Sequence, residues 1–401
     1  MGTPTKTVLV INCGSSSVKF AIIDPVTGES FISGLAEALN LPDARISYRF
    51  GSGKKTEVSL GANATHYDAI QFITDTVLKG QEDLLHSIIA VGHRIVQGGA
   101  LYSEPTLVDD SVEAGIAKCI PFAPLHNPAH LQGIRAAREI FKNVPHVTVF
   151  DTAFHQTMPD YAYRYAIPTE YYKNDSIRRY GFHGTSHKYV AKRTAELVGK
   201  KEFKMVNCHL GNGSSMSAVK DGKCMDTTMG LTPLAGVPMG TRSGDIDAAV
   251  VQFICNKYGM SVDECLNMLN KKSGMLALSG VSSDFRDLQQ GAENGNEDCA
   301  LAREKFCYEV AKYVGAYAAA LNGIDVLTFT AGVGENDTAV RAEVCKYLGF
   351  MGVKIDPELN SKRGKEMCIS TPDSAVQVWV VPTNEELMIA QDTAELVKAA
   401  K

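Results

Sequence analysis

The chain has 401 residues, 45% of them hydrophobic and 21% charged, with a formal net charge of −5. That is globular composition with room for two or three domains, and it lacks the basic surplus that would point to nucleic acid. No apolar run reaches the roughly 20 residues needed to cross a bilayer, the opening residues lack the apolar core of a signal peptide, and Lys6 stands where a myristoylation signal has Ser or Thr.

Residues 8–24, VLVINCGSSSVKFAIID, read as two apolar strands joined by a short polar turn. The turn carries Asn12, Gly14, Ser15, Ser16 and Ser17, with Lys19 just beyond. Gly14 permits φ > 0. Successive backbone N–H groups and serine hydroxyls make an anion-binding concavity, and Lys19 adds a positive point charge. The P-loop spacing is absent. Polar turns without a ligand have the same composition, so the stretch alone leaves both readings open. Residues 25–60 read as further strands and turns, and 67–79 as a helix. Ser87 to Val96 is a buried strand ending in His93 and Arg94. An arginine there needs an anion or a carboxylate partner.

Asn127 is an expected N-cap with Pro128 at the first helical position. His126 and His130 are four apart, but Pro128 lies between them and no carboxylate ligand is near, which disfavours zinc. The strand at 146–151 ends in Asp151, where ligands gather in open α/β sheets. A turn at 178–187 opens a helix whose apolar side takes in Tyr189, Val190, the Arg193 stem and Leu197. His183 stands before its N-terminus, in positive potential, and Arg178 and Arg179 read as surface or interdomain pairs.

Residues 204–219 repeat the first motif: Asn207-Cys208 echoes Asn12-Cys13 at an offset of 207 − 12 = 195 residues, followed by Gly211, Asn212, Gly213, Ser214 and Ser215. Two like units at a half-chain spacing suggest two similar domains. The ten cysteines include no C-x-x-C and suggest reduced thiols in the cytoplasm; Cys13 and Cys208 read as small buried fillers. Residues 226–247 have little regular structure, which in an ordered segment tends to be functional. Arg242 lies there among glycines, and Asp245 and Asp247 suit either a metal or the start of a helix at 245–257, of which the helix start is favoured. Helices follow at 261–270 and 297–322. A third Gly-rich turn, 332–336, follows a strand. Near the end, Thr383 and Glu386 form an expected capping box, which leaves Glu385 free.

The segments NCGSSSVKF, HNPAH, FDTAFH, RRYGFHGTSH, HLGNGSS, MGTRSGDID, AGVGEN and PTNEE stand in this order from residue 12 to 386. In them the chain resembles the acetate and propionate kinase family. The resemblance implies an α/β fold of two duplicated domains of the sugar kinase, heat-shock 70 and actin (ribonuclease H-like) type, with a cleft between them. The expected boundaries are 1–152 for an N-terminal domain, with a C-terminal helix at about 387–401 packing back on it, and 153–386 for a nucleotide-binding domain. The implied reaction is reversible, direct, in-line transfer of the ATP γ-phosphoryl to acetate. The alternatives are a propionate or butyrate kinase and, more remotely, a non-catalytic nucleotide-dependent scaffold.

The resemblance assigns catalysis to Asp151, His183 and Arg242, and the acid substrate to Arg94, Val96, Leu125, His126, Phe182 and Pro233. ATP falls to Ser15, Ser17, Lys19, His209, Leu210, Gly211, Asn212, Gly213, Asp284, Phe285, Arg286, Gly332, Val333, Gly334, Glu335 and Asn336. Asn12 and Glu385 are assigned Mg²⁺, for which Mn²⁺ is an expected substitute. The partners implied are small molecules and a second copy in a cytoplasmic homodimer, with neither nucleic acid nor membrane.

Overall fold

The structure is a computed structural model, which describes residues 6–400. It separates into two compact units, one running to Phe154 and taking in the segment from Asn384, the other His155–Thr383.

The first unit holds an eight-stranded sheet in the order β5-β4-β3-β2-β1-β6-β8-β7. Its strands are β1 (Thr7–Gly14), β2 (Ser17–Ile23), β3 (Ser30–Glu37), β4 (Arg45–Phe50), β5 (Thr56–Ser59), β6 (Ile88–Ile95), β7 (Thr106–Leu107) and β8 (His146–Phe150). The β1–β2 and β2–β3 pairs are antiparallel; β1–β6 and β6–β8 are parallel. Strand residues alternate between faces. Leu9, Ile11 and Cys13 join one core with Ala136 and Ala137 of the helix Asn127–Ile140 and with its C-cap, Phe141. Val8 and Val10 join another with Ile389, Ala390 and Val397 of the C-terminal helix Glu385–Ala399. Gly92 lets that helix come close, because a Cβ there would run into Ile389 and Thr393.

The second unit holds a six-stranded sheet in the order β11-β10-β9-β12-β14-β13. Its strands are β9 (Lys204–Leu210), β10 (Ser214–Lys220), β11 (Lys223–Thr227), β12 (Val326–Thr330), β13 (Met367–Cys368) and β14 (Gln377–Val380). Two antiparallel pairs, β10–β11 and β9–β10, are followed by two parallel ones, β9–β12 and β12–β14. The run β3-β2-β1-β6-β8 therefore has the same order and sense as β11-β10-β9-β12-β14, so the repeated Asn-Cys pair marks a repeated sheet. Both sheets are mixed, and the fold is that of the two-domain sugar kinase and actin type.

Several local expectations change. The helix read at 67–79 is α-helical only over His66–Phe72 and continues as a wider π turn, Ile73–Val77. The cap of Asn127–Ile140 is His126; Asn127 turns inward and its Nδ2 donates to the carbonyls of Gln97 (3.0 Å) and Ile116 (3.2 Å). Arg178 is not a surface residue: it is 5% exposed, its guanidinium 3.5 Å from the centroid of the Tyr163 ring. Arg193 is not on the buried side of its helix; it pairs with Glu196 and Glu366. The helix after the 226–247 segment starts at Ala248 with Asp247 as its cap, whereas Asp245 accepts from Gly236 N and Tyr313 Oη. All ten cysteines are free thiols, and burial pushes Cys13 up to about 12, as suits a filler.

Candidate functional site

In the first unit, the carboxyl ends of the parallel strands β1, β6 and β8 bring Asn12, Arg94 and Asp151 together. Asn12 pairs with Lys19 across the β1–β2 ladder, so both point to the face covered by the C-terminal helix. Gly14 does not need a positive φ; its role is room, since a Cβ would lie 2.6 Å from Ser17 Oγ. Only Ser15 and Ser16 lie between the strands.

The Arg94 fork grips Asp151: Nε donates to Oδ1 at 3.0 Å and Nη2 to Oδ2 at 2.6 Å, while Nη1 faces Asn12 Oδ1 at 3.4 Å. Asp151 is 1% exposed and the Arg94 side chain 20%. Burial opposes the charge on Arg94, but Asp151, then Glu385 and Glu386, more than offset it and hold the guanidinium protonated. Burial lifts the Asp151 carboxyl above its ordinary range, and Arg94 draws it part of the way back. Of the two partners left open for Arg94, the carboxylate of Asp151 takes the two-pronged position, which leaves Nη1 for a ligand.

The C-terminal helix begins beside this pair. The expected capping box does not form. Asn384 is the cap, accepting from Leu387 N at 3.0 Å, and Thr383 Oγ1 instead lies 2.7 Å from Ser186 Oγ. Glu386 forms an ion pair with Lys19, so Lys19 is not a loose cation. Burial pushes the Glu386 carboxyl up, but Lys19 outweighs it and the net shift is downward. Glu385 is left free after all, because Oε1 is buried without a hydrogen-bond partner. It lines a cavity of about 30 Å³ with Asn12, Lys19, Arg94 and Glu386. A buried carboxylate oxygen without a donor, an amide oxygen and an ion-sized space fit a hard divalent cation with oxygen ligands. Val96 is buried just after β6, Leu125 is 64% exposed and His126 half-buried at the helix cap.

In the second unit, a cavity of about 350 Å³ lies at the carboxyl ends of β9 and β12. Gly211, Asn212, Asp284, Phe285, Arg286, Gly332, Val333 and Asn336 line it, as does Arg363, which sequence reasoning missed. The basic run 362–365 was its signal. Residues 331–336 form a short helix that starts at Ala331, in a left-handed conformation (φ 64°). Leu210, Gly213, Gly334, Glu335 and His209 are not on that lining. Leu210 is a core residue, and Glu335 Oε1 accepts from Ala331 N (2.7 Å) and Thr383 N (3.1 Å), bracing the turn. Asp284 caps its helix and grips the exposed Arg286.

Gly213 instead marks where two of the three expected catalytic groups, His183 and Arg242, meet. A Cβ built on it would lie 3.5 Å from His183 Cε1, 3.6 Å from His183 Nε2 and 3.7 Å from Arg242 Nη1. His183 is held with φ 55° at the cap of the helix Gly184–Val198 and stacks on His209 at 4.2 Å. Arg242 Nη1 donates to Pro233 O at 3.2 Å; burial lowers its pKa, and no carboxylate pairs with it among the described residues. The loop carrying it is tied to the Gly/Ser turn by Gly240 N donating to Asn212 O at 3.0 Å. Phe182 is buried next to His183. This arrangement can meet an anion from two sides, with a guanidinium charge and an imidazole N–H.

The profile of the Acetokinase family matches residues 7–391. The chain belongs to the acetokinase family. It is 53% identical over 399 residues to the acetate kinase of Thermotoga maritima, covering 98% of both chains. Among solved structures it resembles the acetate kinase of Porphyromonas gingivalis (44% identity, TM-score 0.93, 98% of this chain and 100% of that one) and a propionate kinase of Francisella tularensis (44%, 0.92, 97% and 99%). An acetokinase is a phosphotransferase with a carboxylate acceptor and ATP as its nucleotide substrate. No helix among the described residues is long and apolar enough to cross a membrane.

Proposed function

We propose that this acetokinase moves the γ-phosphoryl of ATP directly onto an acetate oxygen, giving acetyl phosphate and ADP, and that the same groups run the reverse reaction. The observation that carries this reading is the meeting of His183 Nε2 and Arg242 Nη1 beside Gly213. Phosphoryl transfer asks the protein chiefly for positioning and for charge neutralisation. Arg242, unclaimed by a carboxylate, neutralises the phosphoryl group in flight, and His183 donates to it. Acetate is already ionised at neutral pH, since its carboxyl titrates near 4, so the reaction needs no general base. Asp151 is then a positioning residue: it holds Arg94 so that Nη1 meets the acceptor. Val96, Leu125, His126, Phe182 and Pro233 are assigned to the acetate side.

The nucleotide is assigned to the 350 Å³ cavity of the second unit, with Ser15, Ser17, Lys19 and the 209–213 turn on its phosphates. Glu385 and Asn12 would hold Mg²⁺, or Mn²⁺ in its place; such an ion neutralises phosphate oxygens. The free thiols suit a cytoplasmic enzyme. We assign self-association to the helix Ala248–Tyr258, which buries none of its residues although Val250, Phe253 and Tyr258 are exposed on it. The neighbouring propionate kinase makes propionate the rival acceptor. One methylene in an apolar pocket discriminates by about 1–3 kcal/mol. Measuring hydroxamate-trapped acyl phosphate with acetate, propionate and butyrate tests the assignment: acetate gives the highest kcat/KM, and a higher value for propionate reassigns the acceptor.

A further inference from the structure

His183 is not held by its backbone alone. Its Nδ1 lies 2.9 Å from Ser215 Oγ, and the same hydroxyl lies 2.8 Å from His187 Nε2. The other nitrogen of His187, Nδ1, takes the Asn207 Nδ2 amide at 2.8 Å and has Ser217 Oγ at 2.8 Å. Asn207 is fixed in turn, because its Oδ1 accepts from Thr328 Oγ1 at 2.7 Å. Asn207, His187, Ser215, Ser217 and Thr328 are all fully buried, and they come from β9, β10, β12 and the helix that His183 caps. Asn207 repeats Asn12 in sequence but not in register: Asn12 stands two residues before the end of its hairpin ladder and faces Lys19, whereas Asn207 stands three before the end of its own and pairs with Ser217.

The direction of each bond follows from the donors. An amide Nδ2 can only donate, so His187 Nδ1 accepts and the proton of a neutral His187 sits on Nε2. Burial keeps that imidazole neutral, with its pKa well below the ordinary range, and the nearby His155 and His209 act the same way. His187 Nε2–H therefore donates to Ser215 Oγ. Ser215 is fully buried, and among the described residues His183 Nδ1 is the only other hydrogen-bond partner of its oxygen, so the hydroxyl hydrogen goes to His183 Nδ1 rather than being left unsatisfied. His183 Nδ1 accepts, and its proton is on Nε2, the nitrogen that flanks Gly213 beside Arg242.

We propose that Ser215 and His187 are positioning residues that hold His183 as its Nε2–H tautomer, so that a neutral N–H donor already faces the phosphoryl site before substrate binds. The relay runs Thr328, Asn207, His187, Ser215, His183, and its purpose is to make a histidine with two possible tautomers present only one. It rests on the reading of His183 as a phosphoryl donor, and deepens it. Which nitrogen carries the proton is set by the hydrogen bond that the other makes. Without Ser215 the Nδ1 position loses its donor, and the imidazole divides between tautomers, one of which turns a lone pair toward an anion.

The test is long-range ¹H–¹⁵N correlation of the imidazoles in the ¹⁵N-labelled full chain, the His183 signals being assigned by their loss in His183→Gln. In the unaltered protein His183 is expected as the neutral Nε2–H form; a protonated Nδ1 there overturns the proposal without any variant. Ser215→Ala should then shift His183 toward mixed tautomers and lower kcat by about tenfold to a hundredfold, the range usual for losing a supporting hydrogen bond behind a site residue, with KM for ATP changed less than threefold. Ser215→Cys, which keeps a weak donor, should recover part of kcat. In a His183→Gln background Ser215→Ala should cost nothing further. If His183→Gln itself leaves kcat within threefold, the phosphoryl role of His183 fails. If His183→Gln is severe while Ser215→Ala leaves tautomer and kcat unchanged, the relay alone fails.

Discussion

Asp151→Asn isolates the grip on Arg94. The change keeps the size of the side chain and one acceptor, but replaces the oxygen facing Arg94 Nη2 or Nε by an amide that can only donate. One of two charge-assisted bonds, at 3.0 and 2.6 Å, is lost. Such a bond is worth about 1.5–3 kcal/mol net. The buried guanidinium also loses its nearest carboxylate, and breaking a buried pair costs about 3–5 kcal/mol when neither partner is solvated. The Arg94 side chain keeps 20% of its exposure, which moderates the second cost. The two figures overlap, since the lost bond is part of the broken pair; the net cost at Arg94 is about 2–4 kcal/mol, or about 30-fold to 700-fold in kcat/KM for acetate at 1.4 kcal/mol per decade. The assay is hydroxamate-trapped acetyl phosphate, with acetate and ATP each varied at saturating levels of the other, alongside a thermal melt to show that the protein is folded. KM for ATP should move less than threefold. A kcat/KM for acetate within threefold of the unaltered protein, or equal losses for both substrates, would refute the positioning role.

Four other outcomes are expected. Arg242→Ala lowers kcat by about a thousandfold or more, as for arginines that neutralise a transferring phosphoryl group; in single-turnover kinetics, a loss of tenfold or less makes Arg242 a structural residue. Glu385→Gln raises the Mg²⁺ concentration for half-maximal rate by about tenfold, because an amide oxygen is a weaker ligand for a hard cation; an unchanged Mg²⁺ titration removes Glu385 from the metal site. Burial pushes His130 down to about 3, with Arg94 adding to the effect, and burial pushes His155 down to about 4, so both protonate more readily in the unfolded chain. Their stabilising effect is complete above the ordinary value of 6.5 and is lost as pH falls from there toward 4 and 3, about 1.4 kcal/mol per histidine at one unit below 6.5; urea midpoints that are equal at pH 7 and pH 5.5 would contradict this. If the proposed self-association runs through the exposed apolar helix, Phe253→Glu lowers the sedimentation coefficient to that of a monomer with the fold intact, and an unchanged coefficient removes this helix from any interface.

The strands around both Gly/Ser turns were legible because alternating β-branched residues flank polar turns, and the repeated Asn-Cys pair disclosed the repeated sheet. What the repeat did not disclose is register. Asn12 stands two residues before a two-residue turn and Asn207 three before a three-residue one, so the two asparagines face different partners, and only the ladder itself decides that. Arg94 and Asp151 were each recognisable as strand-end polar residues. A carboxylate partner for Arg94 was an open reading from sequence; which carboxylate it is was not, because Arg94 and Asp151 are 57 positions apart and meet only when β6 and β8 lie side by side. The Thr383–Glu386 box failed because a competing partner for each, Ser186 and Lys19, is set by tertiary packing. Arg178 looked like a surface residue on charge alone, yet the Tyr163 face gives a guanidinium a buried seat. Arg363 was passed over because a run of Lys and Arg more often marks a solvated surface than a cavity wall.

The account stands on an acetate oxygen attacking phosphorus under Arg242 and His183. Incubating the protein with ATP, Mg²⁺ and acetate labelled with ¹⁸O in both oxygens, and reading the ³¹P isotope shift of the product, tests this in one measurement. The account predicts acetyl phosphate with one ¹⁸O bonded to phosphorus, at a rate that collapses in Arg242→Ala. Acetyl phosphate without ¹⁸O on phosphorus, or ATP turnover with no acyl phosphate at all, would contradict it.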